Sequence, residues 1–416
     1  MTMAAVIESR TAQAPARRLP SGLARVDIVS DLAAAEPVWR ALEVPEHVST
    51  PYQRFDLLGA WQRDVGAREH ATPFIVIGRD AEQRPLLLLP LTLRHARGVR
   101  IARGVRIATF MGGKHTTFNM PLMDREFAAR ASAGDLDVLL AGLRDRGGVD
   151  LLALTQQPER WRDLANPLAQ WPHQPSVNDC PVLLMPPGAA PTALLSNSFR
   201  KRLKSKEKKL QALPGYRYMV ASSDAEIAEL LDWFFRTKPI RMAEQRLPNV
   251  FAEPGIEAFV RSACMGKLDC GHRAIDIHAL RCDDEIIALF AGVADGARFS
   301  MMFNTYTLSE NARWSPGLIL MRSIIDHYAQ QDFRALDLGI GSDDYKRMFC
   351  KDDEPIFDSF MPLTARGRVA ATTMAAVGRA KHAVKHSPAL FRLAQQLRGA
   401  LQSRGGAAKA DERAED

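Results

Sequence analysis

Cysteine is scarce in this 416-residue chain: there are five, at 180, 264, 270, 282 and 350, an odd number with no CxxC pair. That excludes a disulfide framework and a thiolate zinc site, and leaves buried or idle thiols as the expectation. Uncharged apolar runs of the ~20 residues that a membrane-spanning helix needs are missing too. Near the start, Glu8 and Arg10 interrupt the stretch where a signal peptide would need an unbroken apolar run. A cytoplasmic protein is therefore expected. Acidic charge is in the minority, with 48 Asp and Glu against 55 Lys and Arg, a formal net charge of +7. This balance suits an anionic partner, whether cofactor phosphates, nucleic acid or a membrane surface. What is present is ordinary for a globular protein, 46% hydrophobic and 25% charged residues. The length is more than one core usually fills, so two domains are expected.

Periodicity places short helices at residues 24–42 and 55–65, a hairpin from 73–78 and 86–93 around a polar loop, then a strand at 107–111, a helix at 136–144 and a buried strand at 149–154. Residues 158–191 are rich in proline and read as a connector with one strand, 182–185. The second half repeats the plan. Helices at 194–213, 225–237 and 255–265 precede strands at 274–281, 286–294 and 298–306, with Asp295-Gly296 as a hairpin signal. Boundaries follow at 20–190 and 191–365, with a basic tail at 366–416 whose end, 405–416, is expected to be disordered.

Residues 298–349 carry the most chemistry. A strand leads to Ser315-Pro316-Gly317, an amphipathic helix to about residue 331, a second strand at 335–339, and a loop with Asp343, Asp344, Tyr345 and Lys346. A helix amino end exposes unpaired N–H groups and the positive end of the helix dipole, so it attracts phosphate. Ser315 is placed to cap, Pro316 suits the first helical position, and Gly317 lets a ligand approach the backbone. Strands joined in parallel on an otherwise antiparallel sheet splay where the order changes, which leaves a cleft.

WSPGLILM, LDLGIGSDDYKRMF and the upstream FRKRLKSKEKKL resemble the CelD-type acetyltransferases of the GNAT superfamily, related to the tandem-GNAT FemAB proteins. FDLLGAWQRDVG and RPLLLLPLTLR extend the resemblance over most of residues 50–363. It implies an α/β (α+β) fold of two tandem GNAT-like domains, with mixed, mostly antiparallel sheets flanked by helices. It also implies an acyltransferase using acetyl-CoA or another acyl-CoA, with no metal, on an amine or hydroxyl of a sugar or an envelope or exopolysaccharide precursor. The usual Q/R-x-x-G-x-G/A loop of GNAT enzymes is replaced here by Arg313-Trp314-Ser315-Pro316-Gly317.

Thioester transfer needs a deprotonated nucleophile, donors for the oxyanion and a proton for the thiolate. The expected catalytic residues are Tyr345 as acid, Asp337 as base or orienter, and His278 as a strand histidine titrating near neutral pH. Ser315, Pro316, Gly317, Leu318, Phe303 and Asn304 are the expected cofactor contacts, with the Gly317 and Leu318 amides facing the pyrophosphate. Tyr306, Lys346 and Asp276 are the expected substrate contacts. The basic segment at residues 200–209 suits CoA phosphates, an anionic acceptor or the backbone of an aminoacyl-tRNA. FemAB-like transfer from charged tRNA is thus an alternative, and a non-catalytic scaffold of degenerate GNAT halves another. Residues 369–401 have the pattern of a basic amphipathic helix, for peripheral contact with the inner face of a membrane or docking on the protein itself.

Overall fold

The computed structural model describes residues 22–95, 104–268, 271–341 and 343–387. The first domain starts with β1 (Arg25–Val29), α1 (Leu32–Leu42) and α2 (Phe55–Trp61), the last continuing as a π-helical turn, Gln62–Gly66. The single helix expected at 24–42 is therefore a strand and a helix. Asp31 causes the break, since its side chain accepts from the Ala33 amide and caps α1. There follow β2 (Thr72–Arg79), β3 (Pro85–His95), β4 (Arg106–Phe110), β5 (Leu122–Met123), α3 (Arg125–Arg130), α4 (Ala133–Arg146) and β6 (Leu151–Pro158). A small ribbon, β7 (Arg160–Trp161) with β8 (Leu164–Ala165), leads to β9 (His173–Pro175) and β10 (Pro181–Leu184).

The second domain repeats this order: α5 (Asn197–Leu210), β11 (Arg217–Val220), α6 (Asp224–Glu244), α7 (Ile256–Met265), β12 (Asp276–Arg281), β13 (Ile286–Ala294), β14 (Arg298–Tyr306), α8 (Pro316–Ala329), β15 (Ala335–Asp337), α9 (Asp344–Phe349) and β16 (Asp352–Asp353). The chain then returns to the first domain as β17 (Ile356–Pro362) and α10 (Ala365–His386).

The strand orders are β1-β2-β3-β4-β6-β17-β9, with β5 on β3, and β11-β12-β13-β14-β15-β10-β16. Each is an antiparallel meander, a helical crossover to a parallel strand, then two antiparallel strands. In each sheet the sixth strand comes from the other half of the sequence. β10 lies between β15 and β16 of the second sheet, while β17 lies between β6 and β9 of the first. The exchange crosses the boundaries drawn at 190 and 365, because both short strands complete their hydrogen bonding on the partner sheet.

β12 shows how alternation sorts side chains: Ile277 and Ala279 join the core shared with α6, α7 and the first domain, whereas Leu280 joins the core under α8. On β14 the register skips Met302 opposite Ala291 and Gly292, a bulge that reverses the alternation. Phe299 and Met301 consequently belong to the α8 core and Phe303 to the α6 core.

The halves are tied by arginines. Arg54 donates to the carbonyls of Ala274 (3.1 Å) and Ala294 (2.5 Å). Arg298 stacks 4.2 Å from the Phe118 ring centroid and pairs with Asp337 (2.9 Å) and Glu354 (2.6 Å). Helix α10 docks on the first sheet; Ala370 and Ala371 are buried, Arg379 donates to Gln174 (3.0 Å) and Lys385 to Asn178 (2.7 Å). Val369 and Val377 face outward. The rest of the expected tail helix, and the segment expected to be disordered, lie outside the described residues. Cys180, Cys264, Cys282 and Cys350 are buried.

Candidate active site

β14 pairs in parallel with β15 only through residues 298–300 against 335–337. Beyond Ser300 the strands part, and the gap opens into a cavity of about 1040 Å³ between the domains. The wall combines Lys114, His115 and Thr117 of the first domain with Phe303, Asn304, Tyr306, Gly317 and Tyr345 of the second.

The amino end of α8 forms one side. Ser315 holds the N-cap position with φ 57° and ψ 53°, a left-handed conformation that is costly for a residue with a side chain. Contrary to expectation its hydroxyl does not cap the helix; Lys206 of α5 donates to Ser315 Oγ at 2.7 Å. Leu318 N–H turns back to the Ser315 carbonyl at 3.1 Å, so it does not face the cleft as expected. Gly317, in the second helical position, retains an amide without an intrahelical partner. A Cβ added there would find its nearest atoms 3.8 Å away, in the cavity residues Phe290 and Tyr306. An uncapped helix start, a glycine with open space and an ammonium on the preceding serine fit a pyrophosphate.

The Asp-x-Gly-x-Gly-x-x-x-Tyr-Lys run is a loop-shaping device. Asp337 is fully buried and accepts from Arg298 Nε (2.9 Å), Ser300 Oγ and the Gly339 amide (3.0 Å). Gly339 (φ 71°) and Gly341 (φ 113°) supply the left-handed backbone that bends the chain away from β15. The bend presents the carbonyls of Gly339 and Ile340 to Lys346 Nζ at 3.1 and 3.0 Å. Asp337 is thus a strand clamp in the core, with no free face toward the cavity. Lys346 lines the cavity, but its ammonium is engaged by the loop.

This loop delivers Tyr345, which accepts from Asn304 Nδ2 at 3.3 Å. Burial pushes its pKa above the ordinary tyrosine value, so its hydroxyl keeps its proton. Phe303 packs 4.8 Å from Phe234, and the Tyr306 ring lies 4.0 Å under the Arg241 guanidinium. Both line the cavity, as do Pro316 and Leu318.

His278 and Asp276 are placed elsewhere, on the α8 side of β12. His278 Nδ1 meets Tyr218 Oη at 2.8 Å and Nε2 meets Tyr328 Oη at 3.0 Å; Tyr328 in turn donates to Asp276 at 2.7 Å. Burial lowers the His278 pKa to about 3, leaving a neutral ring with both nitrogens engaged. These residues form a closed core network, not a base or a substrate contact. The imidazole in the cavity belongs to His115 of the first domain. Its Nε2 has no hydrogen-bond partner among the described residues, and its pKa is lowered to about 4 by burial and then by Lys114. The basic segment expected to suit CoA phosphates includes Lys206, whereas sequence reasoning missed His115 and Lys238, because their neighbours in the cavity are distant in the chain and no local pattern marks them. Among the described residues no group of three or more metal-ligating side chains is arranged to hold a metal ion. No helix among them is long and apolar enough to cross a membrane.

The splayed parallel strands and open helix start agree with the comparison to family models: residues 197–347 match the acetyltransferase (GNAT) domain family. The second half is a GNAT domain. The match starts at α5, so the basic helix is part of the matched acetyltransferase domain. Three solved structures share its two-sheet fold. The C-terminal domain of a putative lysylphosphatidylglycerol synthetase from Agrobacterium fabrum is 11% identical, with a TM-score of 0.50 over 83% of this chain and 96% of that one. FemX is 7% identical, with a TM-score of 0.51 over 80% and 97%. A conserved protein of unknown function from Bacteroides thetaiotaomicron is 10% identical, with a TM-score of 0.50 over 81% and 100%. At these identities the likeness concerns the fold alone. No curated protein matches the sequence at a significant level.

Proposed function

We propose that this GNAT chain transfers an acyl group, with acetyl as the simplest case, from an acyl-CoA to an amine or hydroxyl of a sugar or an envelope precursor. The observation that carries this reading is the uncapped α8 start, faced by Lys206 and opening on the gap between β14 and β15. Acyl-CoA, when bound, supplies an activated thioester and a thiol leaving group. The Gly317 amide, the α8 dipole and the Lys206 ammonium hold its phosphates. Backbone groups of β14 beyond Ser300, unpaired by β15, hold the pantetheine amides. Tyr345, kept protonated by burial and oriented by Asn304, donates the proton that the departing thiolate takes up. His115, a neutral ring with its Nε2 buried and unpartnered among the described residues, forms part of the wall on the acceptor side.

A thermal-shift screen of CoA thioesters tests the donor. Stabilisation that rises with acetyl-CoA concentration and disappears in Gly317→Trp supports the reading; no shift with any CoA thioester contradicts it. One observation favours a second donor: α5 exposes Lys201, Arg202, Lys204, Lys208 and Lys209 beside the α8 start. An aminoacyl-tRNA donor would instead give RNA binding that falls steeply with salt.

A further inference from the structure

Four cationic side chains line the cavity: Lys114, Lys238, Arg241 and Lys346. Three of them have carboxylate partners. Lys114 pairs with Glu253, Arg241 with Glu244 at 3.1 Å, and Lys346 with Asp343 at 3.7 Å. Arg241 also donates to the Tyr306 and Thr307 carbonyls. Lys238 is different. Its half-buried ammonium donates to the Asn304 carbonyl at 2.9 Å and lies 5.9 Å from the Phe251 ring centroid, with no carboxylate in ion-pair reach among the described residues. An ammonium carries three donors, and a desolvated cation without a counterion is costly. Burial accordingly lowers its pKa, opposed only in part by the more distant Asp343.

The position of Lys238 separates it from the cofactor phosphates. It stands on α6, which packs on β14 from the face shared with α7 and the first domain, whereas α8 and Lys206 belong to the opposite layer. An anion at Lys238 therefore lies across β14 from the α8 start, on the side walled by His115 and Thr117. We propose that the acceptor is an anionic molecule whose phosphate or carboxylate binds the Lys238 ammonium, in an acceptor half-site built jointly by α6 and the 114–117 loop of the first domain. The proposal rests on the acyl-CoA reading for the identity of the other half of the cavity. It also gives the first domain a role: it closes the acceptor side of a site whose donor side belongs to the second.

Inorganic phosphate and succinate serve as probes for the two anion types, titrated into full-length protein saturated with CoA and followed by intrinsic fluorescence. At least one anion is expected to bind wild type, and Lys238→Met to weaken it about tenfold or more while the Kd for CoA stays unchanged; Lys238→Arg keeps anion binding and controls for folding. The arm that binds identifies phosphate or carboxylate as the group recognised. Absence of binding in both arms, or binding unchanged in Lys238→Met, overturns the proposal. So does an equal loss of CoA affinity in Lys238→Met, which would assign the ammonium to the cofactor. If wild type binds no CoA, the acyl-CoA reading falls, and the anion titrations of the free protein still decide whether Lys238 holds an anion.

Discussion

The two crossovers share a topology and differ at the helix start. In the first domain Ser132 caps α4 in a reciprocal capping box, and Asp135 Oδ2 accepts from Ser132 N–H at 2.9 Å and its hydroxyl at 2.7 Å. Asp135 Oδ1 also accepts from the Leu23 amide at 2.8 Å. A carboxylate thus already occupies the place where an anion would sit. In the second domain the corresponding residue, Ser315, is left-handed and does not cap, and its neighbour is the Lys206 ammonium in place of a carboxylate. One fold can therefore carry a self-satisfied crossover for stability and an unsatisfied one for a ligand. Both entrances carry a serine; the backbone conformation of that serine and the third helical residue, Asp135 against Leu318, decide which.

Changes at the open crossover should have the largest effects. Gly317→Trp fills the space beside Phe290 and Tyr306 and is expected to weaken acyl-CoA binding at least about a hundredfold, by isothermal titration, with the protein still folded. Tyr345→Phe removes the acid and is expected to lower kcat by about 10²-fold or more with little change in KM; unchanged turnover would remove Tyr345 from the chemistry. Lys206→Met deletes one charge-assisted contact and should weaken CoA about tenfold, with a shallower dependence on salt. On the closed crossover, Ser132→Ala should cost about 1 kcal/mol of stability and leave CoA affinity untouched.

The pH dependence separates the two histidines. His278 has a folded pKa of about 3 against about 6.5 unfolded, so the unfolded chain binds the proton that the folded one refuses. Its contribution is fully present above pH 6.5 and is lost as the pH falls toward 3, by about 1.4 kcal/mol per pH unit. Denaturation followed by circular dichroism should show a flatter acid limb in His278→Gln. His115, lowered to about 4, should leave activity without a histidine limb near pH 6.5; such a limb that vanished in His115→Asn would show that the ring titrates normally.

The sequence made the repeat legible because its signals are local. The Asp295-Gly296 hairpin, the Ser-Pro-Gly helix entrance and the alternation of β12 and β13 each depend on neighbours in the chain. Gly317 and Tyr345 were found in this way, and the structure sets both in one cavity. Residues whose partners come from afar were misread. His278 has the right residue type on the right strand, but alternation puts it under α8, where Tyr218 and Tyr328 engage both nitrogens. Asp337, expected as base or orienter, is buried by the pairing of β14 with β15 against Arg298 and Ser300. The exchange of β10 and β17 joins strands of opposite halves, and neither strand carries a mark of its destination.

The contrast between the crossovers is tested most directly by the stoichiometry of acetyl-CoA binding to the full-length chain, measured by isothermal titration. One molecule per chain is expected, lost in Gly317→Trp and retained in Ser132→Ala. Two molecules per chain, or one that survives Gly317→Trp, would contradict it.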